Sequence, residues 1–166
     1  MFRRISDFVG TWKYESDFTT RMMRILTDES LSTKVSAEGR TLARLAWHIT
    51  QIIGATINQT GLHIESPAND APIPEHASEI ADTYERVAQA ALEAIEKNWT
   101  DDSLETTHTV FGQPWTRSRV LRAMVTHQIH HRGQMTVLMR QAGLIVPGVY
   151  GPAREEWAIV NITPRP

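Results

Sequence analysis

Hydrophobic residues recur every three or four positions in four long stretches of the chain, which is the spacing of helices that bury one face. The stretches lie at roughly residues 5–28, 41–60, 77–98 and 116–142. Gly61 follows the second stretch and Gly143 follows the fourth, and glycine is the residue that most often ends a helix. The pattern therefore predicts four amphipathic helices.

The segments between these stretches are polar or rich in proline and glycine, as connections are. Thr27 to Arg40 and residues 62–75 read as two long connections, and residues 99–115 as another loop. Within that loop, Thr106 to Phe111 is β-prone, but the run is too short and isolated to predict a sheet. Beyond Gly143 the chain forms an irregular arm, with a short helix expected at Ala153 to Ile159.

These elements favour an all-α fold: a four-helix bundle with long connections and a short C-terminal arm or helix. The chain has 166 residues, a single-domain length, so residues 1–166 are taken as one domain. Neither an internal repeat nor a low-complexity tract divides it.

Composition excludes several functional classes. The net charge is −2 without a dense basic stretch, which argues against a dedicated nucleic-acid binder. No apolar run approaches the about 18 residues of a membrane helix, and the start does not look like a signal peptide, so we expect a cytoplasmic protein without a membrane partner. The chain contains no cysteine, so any metal ligands must be nitrogen or oxygen atoms.

The seven histidines supply the most distinctive chemistry, because His127 and His131 interrupt the apolar stripe of the fourth predicted helix. Residues four apart lie about 40° from each other on one helix face, so both imidazoles can reach one transition-metal ion. A histidine on that stripe is expected to be buried, and a buried polar group needs a partner. A metal, a carboxylate or ordered water would each satisfy the pair.

His48 in the second helix is the leading third ligand, since a shoulder position can face a neighbouring helix. His130 reads as a flanking residue, and His63, His76 and His108 as exposed loop or helix-edge residues. Gln128 occupies the position of the glutamate in the H-E-x-x-H pattern of zinc proteases, and it cannot act as a base. Because the fourth helix also lacks glutamate, a di-iron carboxylate site is disfavoured, which leaves a mononuclear three-histidine site.

Three motifs resemble those of the DinB-like family of bacterial metal-binding four-helix bundles. The string H-Q-I-H-H-R-G-Q-M at 127–135 is similar to the closing-helix motif, Leu45-Ala46-Trp47-His48-Ile49 to the second-helix motif, and Val149-Tyr150-Gly151-Pro152 to the C-terminal arm. The resemblance implies metal ligands at His48, His127 and His131. It also implies a divalent transition metal (zinc or nickel first, iron or manganese as alternatives) and a homodimer.

The resemblance does not indicate a single reaction. Family members include thiol-dependent transferases and isomerases as well as proteins resembling metal-dependent hydrolases. Our first hypothesis is a metal-dependent enzyme acting on a small molecule by thiol transfer or hydrolysis, with a low-molecular-weight thiol as one expected partner. The second is a non-catalytic metal-binding or stress-response bundle. The third is a plain bundle whose histidines are satisfied by hydrogen bonds. Trp47, Gln134 and Tyr150 are the residues expected near the site.

Overall fold

Four α-helices form the frame of the protein in the computed structural model, which describes residues 2–157, 159 and 163. They are α1 (Ile5–Ile25), α2 (Leu42–Ile57), α3 (Ala77–Asn98) and α4 (Arg117–Gln141). Short 3-10 turns occupy Asp28–Ser32, Asn58–Thr60, Asp101–Glu105 and Arg154–Glu156. The predicted helices are confirmed, although α1 ends three residues early because Thr27 and Ser30 form a capping box that starts a separate turn.

The helices pack as a four-helix bundle, which confirms the predicted fold class. Helix α1 packs against α3, α3 against α2, α2 against α4, and α4 against α1. The diagonal pairs are therefore α1 with α2 and α3 with α4. The neighbouring pair α2 and α4 carries the three predicted ligands. Among the described residues, no helix is both long and apolar enough to cross a membrane.

The helix N-termini are capped by two different devices. Thr41 and Thr116 cap α2 and α4 locally, each hydroxyl accepting from a backbone N–H three residues later. Helices α1 and α3 receive carboxylates from elsewhere in the chain instead. Asp101 accepts from the Ile5 N–H and Asp28 from the Ala77 N–H, each at 2.7 Å. These two aspartates link the connections to the N-termini of α1 and α3, where a negative charge also interacts favourably with the helix dipole.

The β-prone run Thr106 to Phe111, from which no sheet was predicted, contains one strand of a small sheet between α3 and α4. Strand β1 (Thr107–Val110) pairs antiparallel with β2 (Gln113–Thr116), joined by a two-residue turn at Phe111 and Gly112. Both turn residues have positive φ, 49° and 73°, as the tight hairpin turns that match strand twist require. Gln59 holds this turn to the bundle by accepting from the Phe111 N–H at 2.8 Å.

The long connection between α2 and α3 lies directly on α2. Gln51 donates to the Ala68 carbonyl at 2.6 Å, and the Trp47 indole donates to the Ala71 carbonyl at 3.3 Å. Gly54 makes the close approach possible, since a Cβ built there would lie 1.7 Å from the Ser66 Oγ. The crossing connection is therefore a packed layer on the second helix.

The C-terminal arm folds back onto α1 and α4. A helix was predicted at Ala153 to Ile159, but the described residues contain only the turn Arg154–Glu156, and Ala158 lies outside them. Glu156 stabilises this turn by accepting from the backbone N–H groups of Gly148 and Ala153. The prediction was wrong in extent because these side-chain contacts close a compact loop instead of extending a helix.

Candidate metal centre

His48, His127 and His131 meet at the interface of α2 and α4. Each offers one ring nitrogen, and the three nitrogens all lie within 4.8 Å of one another. The centroids of the His127 and His131 rings are 4.5 Å apart, and the His48 ring lies 5.0 Å and 4.8 Å from them. The structure thus brings together the three residues that the sequence singled out, from two neighbouring helices.

Burial differs among the three histidines. Only 7% of His131 is exposed, which matches its place on the inner face of α4. His48 and His127 are half-buried, so the expectation of a fully buried His127 is wrong. The reason is that α2 and α4 leave a cavity beside His127, described below, instead of closing over it. The cluster has one buried histidine and two at the border of the bundle.

Gln134 orients the buried member of the cluster. Its Oε1 lies 2.7 Å from His131 Nδ1, and a neutral imidazole that donates from Nδ1 keeps a lone pair on Nε2. That Nε2 faces the Nε2 of His127 at 3.2 Å. In metal sites, a hydrogen-bond acceptor at the second ring nitrogen commonly fixes the tautomer of a ligating histidine, and Gln134 is such an acceptor for His131.

The environment keeps the three rings uncharged at neutral pH. Burial lowers the pKa of His48 to about 4, helped by the nearby rings of His131 and His127. Burial likewise lowers the pKa of His127 to about 4, with His131 and His130 contributing. The pKa of His131 is also lowered, chiefly by burial and against the opposing effect of Gln134. Neutral imidazoles are the form that binds metal ions.

The other sequence expectations can be placed individually. Of the two further residues expected near the site, Trp47 is buried against the crossing connection, and Tyr150 joins a separate polar cluster. His130 is exposed and its ring lies 4.9 Å from that of His131, as a flanking residue would. His63 and His76 are exposed as predicted, whereas His108 lies half-buried in β1 and accepts from the Arg117 side chain.

A cavity of about 240 Å³ opens beside the histidine cluster and was not foreseen from the sequence. His127 belongs to both the cluster and the cavity wall. The remaining wall comes from α2, α4 and the hairpin, and consists of Ile49, Ile52, Ile53, Thr56, Phe111, Trp115, Ala123, Met124 and Gln128. The hairpin supplies the aromatic part of the wall. A small molecule could reach the cluster through this space.

A buried ionic cluster on an adjoining part of the inner face of α4 was also missed. Arg132 is 2% exposed and pairs with Glu15 of α1, which is 5% exposed. Tyr150 in the C-terminal arm donates to the same carboxylate at 2.8 Å and accepts from Arg132 at 2.9 Å. Arg132 follows directly after His131 in the sequence, so α4 presents a candidate ligand and a buried cation on successive residues. The sequence signal was the helical spacing: Glu15 lies three residues after Trp12 and Arg132 three residues before Met135, so each charge shares a helix face with a core residue.

The residues present fit a divalent transition metal. Three neutral imidazole nitrogens form an all-nitrogen donor set, which suits zinc, nickel, copper or iron. The hydrogen bond from His131 to Gln134 gives the set an orienting partner of the kind that such sites use.

Comparison with known proteins agrees with the fold. The model of the DinB family matches residues 1–165. A Bacillus subtilis relative described as uncharacterized protein YrdA is 44% identical over 158 residues, covering 95% of each chain. A dinb-like protein from Bacillus cereus ATCC 10987 has a crystal structure that superposes with a TM-score of 0.87 at 47% identity, covering 90% of this chain and 100% of that one.

A second solved structure shows the same fold at a greater distance. The dinb-like protein YjoA from Bacillus subtilis gives a TM-score of 0.67 at 19% identity, covering 89% of this chain and 99% of that one. The family match spans nearly the whole chain, and the relatives at 44% and 47% identity are of similar length. The protein belongs to the DinB family.

Proposed function

We propose that the protein is a metal-dependent enzyme that acts on a small molecule, with His48, His127 and His131 as the ligands of one divalent transition metal. The observation that carries the proposal is the convergence of the three ring nitrogens within 4.8 Å, next to a cavity that shares His127. Zinc or nickel suits the donor set best, and iron or manganese are alternatives.

The chemistry of such a site follows from its ligands. Three neutral imidazoles leave the full positive charge on a divalent ion and open coordination positions, so a bound ion would supply Lewis acidity for activating either a water or a thiol. The chain has no cysteine, so a thiol would have to come from a low-molecular-weight cosubstrate. Thiol transfer and hydrolysis are therefore both part of the proposal.

The protein's own residues have three tasks in this scheme. Gln134 keeps the His131 lone pair directed into the cluster through the 2.7 Å contact at Nδ1. The depressed pKa values of the three histidines keep them available as ligands at neutral pH. The apolar cavity wall lowers the local dielectric beside His127, which strengthens electrostatic interactions with a bound substrate.

The first experiment measures metal content in protein purified without a histidine tag. We expect one equivalent of transition metal per chain, and its loss in the variants His48→Ala, His127→Ala and His131→Ala. His63→Ala is the matched control, because His63 is exposed and outside the cluster. Absence of stoichiometric metal after loading with zinc or nickel, in folded protein, would overturn the proposal.

The second experiment measures turnover with the metal-loaded protein. Electrophilic small molecules are offered with and without an added low-molecular-weight thiol, alongside carboxylic esters and amides. Product that requires the thiol indicates transfer, and product formed without it indicates hydrolysis; either activity should disappear in the ligand variants. Metal binding without any turnover would favour a non-catalytic metal-binding bundle. A homodimer is part of the same proposal and is checked by analytical ultracentrifugation.

A further inference from the structure

Phe111 occupies a turn position whose backbone conformation suits other residues better. The turn of the hairpin consists of Phe111 and Gly112, and both have positive φ, 49° and 73°. Two-residue turns of this kind favour Asn, Asp or Gly at the first position, because most side chains crowd the backbone in the left-handed region. A bulky phenylalanine there is strained, and strained residues in native proteins concentrate at functional sites.

Contacts from the bundle and from the neighbouring strand hold Phe111 in this position. Gln59, in the 3-10 turn that follows α2, accepts from the Phe111 backbone N–H at 2.8 Å. The Phe111 ring packs edge-on against the Trp115 ring of β2, with centroids 6.0 Å apart. The first contact fixes the backbone of the strained residue, and the second fixes the direction of its ring.

The Phe111 side chain lies at the mouth of the cavity beside the histidine cluster. Of the ten described residues that line this cavity, Phe111 is the only one that is exposed, at 49%. The other nine are buried or half-buried. Phe111 therefore separates the cavity from solvent on the side of the hairpin.

The wall of the cavity indicates which chemical group binds there. None of the ten described lining residues is Asp, Glu, Lys or Arg, and most of them carry aliphatic or aromatic side chains. Such a wall favours a hydrocarbon group, because burial removes its apolar surface from water. A dry cavity of about 150 Å³ holds a benzene molecule. The present cavity has about 240 Å³, which leaves space for one ring with a short substituent.

We infer that Phe111 is a specificity-determining residue whose ring covers a single-ring hydrocarbon group of the substrate in this cavity. The turn keeps an unfavourable backbone conformation because the phenylalanine ring completes the cavity wall. The inference rests on the proposed function only in that the molecule bound beside His127 is the substrate. Binding of the hydrocarbon group is a property of the cavity and is measured without metal.

The variant Phe111→Asn separates a role in binding from a role in folding. It creates the Asn-Gly sequence that such turns favour, and it removes the ring from the cavity wall. The Gln59 contact is retained, because it is made by the backbone N–H. We expect the urea midpoint of unfolding to rise and the affinity for benzene to fall about fivefold, the effect of losing one aromatic contact.

Benzene binding is measured by titration into protein with ¹³C-labelled methyl groups. The signals of Ile52 and Met124 are followed, because both residues line the cavity. Pyridazine, a ring of the same size with two polar nitrogen atoms, is the control probe. It should bind about tenfold more weakly than benzene, because its nitrogens lose their hydration against an apolar wall.

Two further variants serve as controls for Phe111→Asn. Phe111→Tyr keeps both the ring and the strained turn, so it should retain the benzene affinity and the urea midpoint. Ile145→Asn removes another exposed hydrophobic side chain, which is 64% exposed and not among the residues that line the cavity. It should leave the benzene affinity unchanged.

The outcomes distinguish this inference from the proposed function. An unchanged benzene affinity in Phe111→Asn, a lowered urea midpoint in that variant, or equal affinities of the unmodified protein for benzene and pyridazine would each overturn the inference. Absence of stoichiometric metal, with the effect of Phe111→Asn on benzene binding intact, would support the cavity assignment and contradict the proposed enzyme. In the active enzyme, Phe111→Asn should raise KM for substrates that carry a ring and leave kcat in place.

Discussion

At the scale of single residues, Gln134 is the partner that decides how well His131 can bind a metal. Replacing it with Met removes the 2.7 Å contact to His131 Nδ1 and leaves the ring free to rotate or change tautomer. We expect metal affinity to fall by about 10–100-fold, the usual effect of losing such a partner. Competition against a chromophoric chelator measures it.

Gln141→Met is the control for this change, because Gln141 lies exposed on the same helix and has the same helix propensity as Gln134. It should leave the affinity unchanged. Equal affinities for all three proteins would show that the His131 ring is held by packing alone.

His76 and Asp28 form an exposed pair whose titration is linked. Asp28 raises the pKa of His76 above 6.5 through a 2.8 Å contact, and His76 lowers the pKa of Asp28 below 3.8. Stability from the imidazole is present at lower pH and lost as the pH rises through the folded His76 pKa. Stability from the carboxylate is present at higher pH and lost as the pH falls through the folded Asp28 pKa. The pair therefore contributes most between these two values.

NMR titration of the His76 ring tests this linkage. In Asp28→Asn the pKa of His76 should fall, because the amide keeps an acceptor for the Ala77 N–H but carries no charge. Glu29→Gln, which removes a neighbouring exposed carboxylate, should leave the His76 pKa in place. An unchanged His76 pKa in Asp28→Asn would contradict the assigned cause.

At this scale, sequence reasoning located the histidine cluster but not the contacts around it. The spacing of His127 and His131 on one helix face follows from helix geometry alone, and Gln134 lies three residues beyond His131, which places it within reach. The polar contacts of Gln128 could not be found in this way. They depend on Tyr84 and Thr19, which engage its amide oxygen from two other helices.

At the scale of elements, Gly54 determines how closely the crossing connection can lie on α2. An added Cβ would stand 1.7 Å from Oγ and 2.4 Å from Cβ of Ser66, and the Cβ of a serine cannot move without its backbone. We expect Gly54→Ala to lower the free energy of unfolding by about 1–3 kcal/mol through overpacking. Urea denaturation measures the change.

Two further variants make this test specific. Adding Ser66→Gly to Gly54→Ala should recover much of the loss, because the clashing atoms are removed. Gly10→Ala in α1 meets no atom within 4 Å and should stabilise the protein by about 0.5–1 kcal/mol. A stabilising Gly54→Ala would mean that the connection does not lie on α2 in solution.

The helices and the hairpin differ in how far local sequence specifies them. Helix α3 begins at Ala77 and ends at Asn98, as its apolar repeat predicts, because 22 residues of one periodicity outweigh local irregularities. The hairpin has two four-residue strands and a turn that places Phe111 at positive φ. Phe is an unusual residue there, and the Gln59 contact that supports it comes from more than 50 positions away.

At the scale of the whole molecule, the sequence predicted a bundle but not the order of its helices. The order α1, α3, α2, α4 around the bundle places the two helices that carry the histidine cluster side by side. No single apolar stripe specifies this order, because it depends on how the connections are packed. The inner face of α4 also carries Gln128, His131 and Arg132, so its apolar pattern is weak. Polar side chains on that face find partners only in the assembled bundle.

The pair of Arg132 and Glu15 joins α4 to α1, and Tyr150 adds the C-terminal arm. Replacing Arg132 with Met leaves the Glu15 carboxylate buried without its cation, which we expect to cost about 3–5 kcal/mol of unfolding free energy. Tyr150→Phe removes only a hydroxyl that bonds to both partners and should cost about 1 kcal/mol. Urea denaturation of the metal-free proteins measures both without a contribution from bound ions.

Arg140→Met is the control for Arg132→Met, since its partner Glu155 is exposed and water screens such ion pairs, so they contribute little to stability. Glu15→Gln combined with Arg132→Met should recover part of the loss, because the uncompensated charge is gone although the packing is not restored. If Arg132→Met cost no more than Arg140→Met, the interior around Glu15 would have to admit water, and the arm held by Tyr150 would not be a fixed part of the bundle. A large cost that Glu15→Gln relieves would instead show that this buried charge pair holds α1, α4 and the arm together.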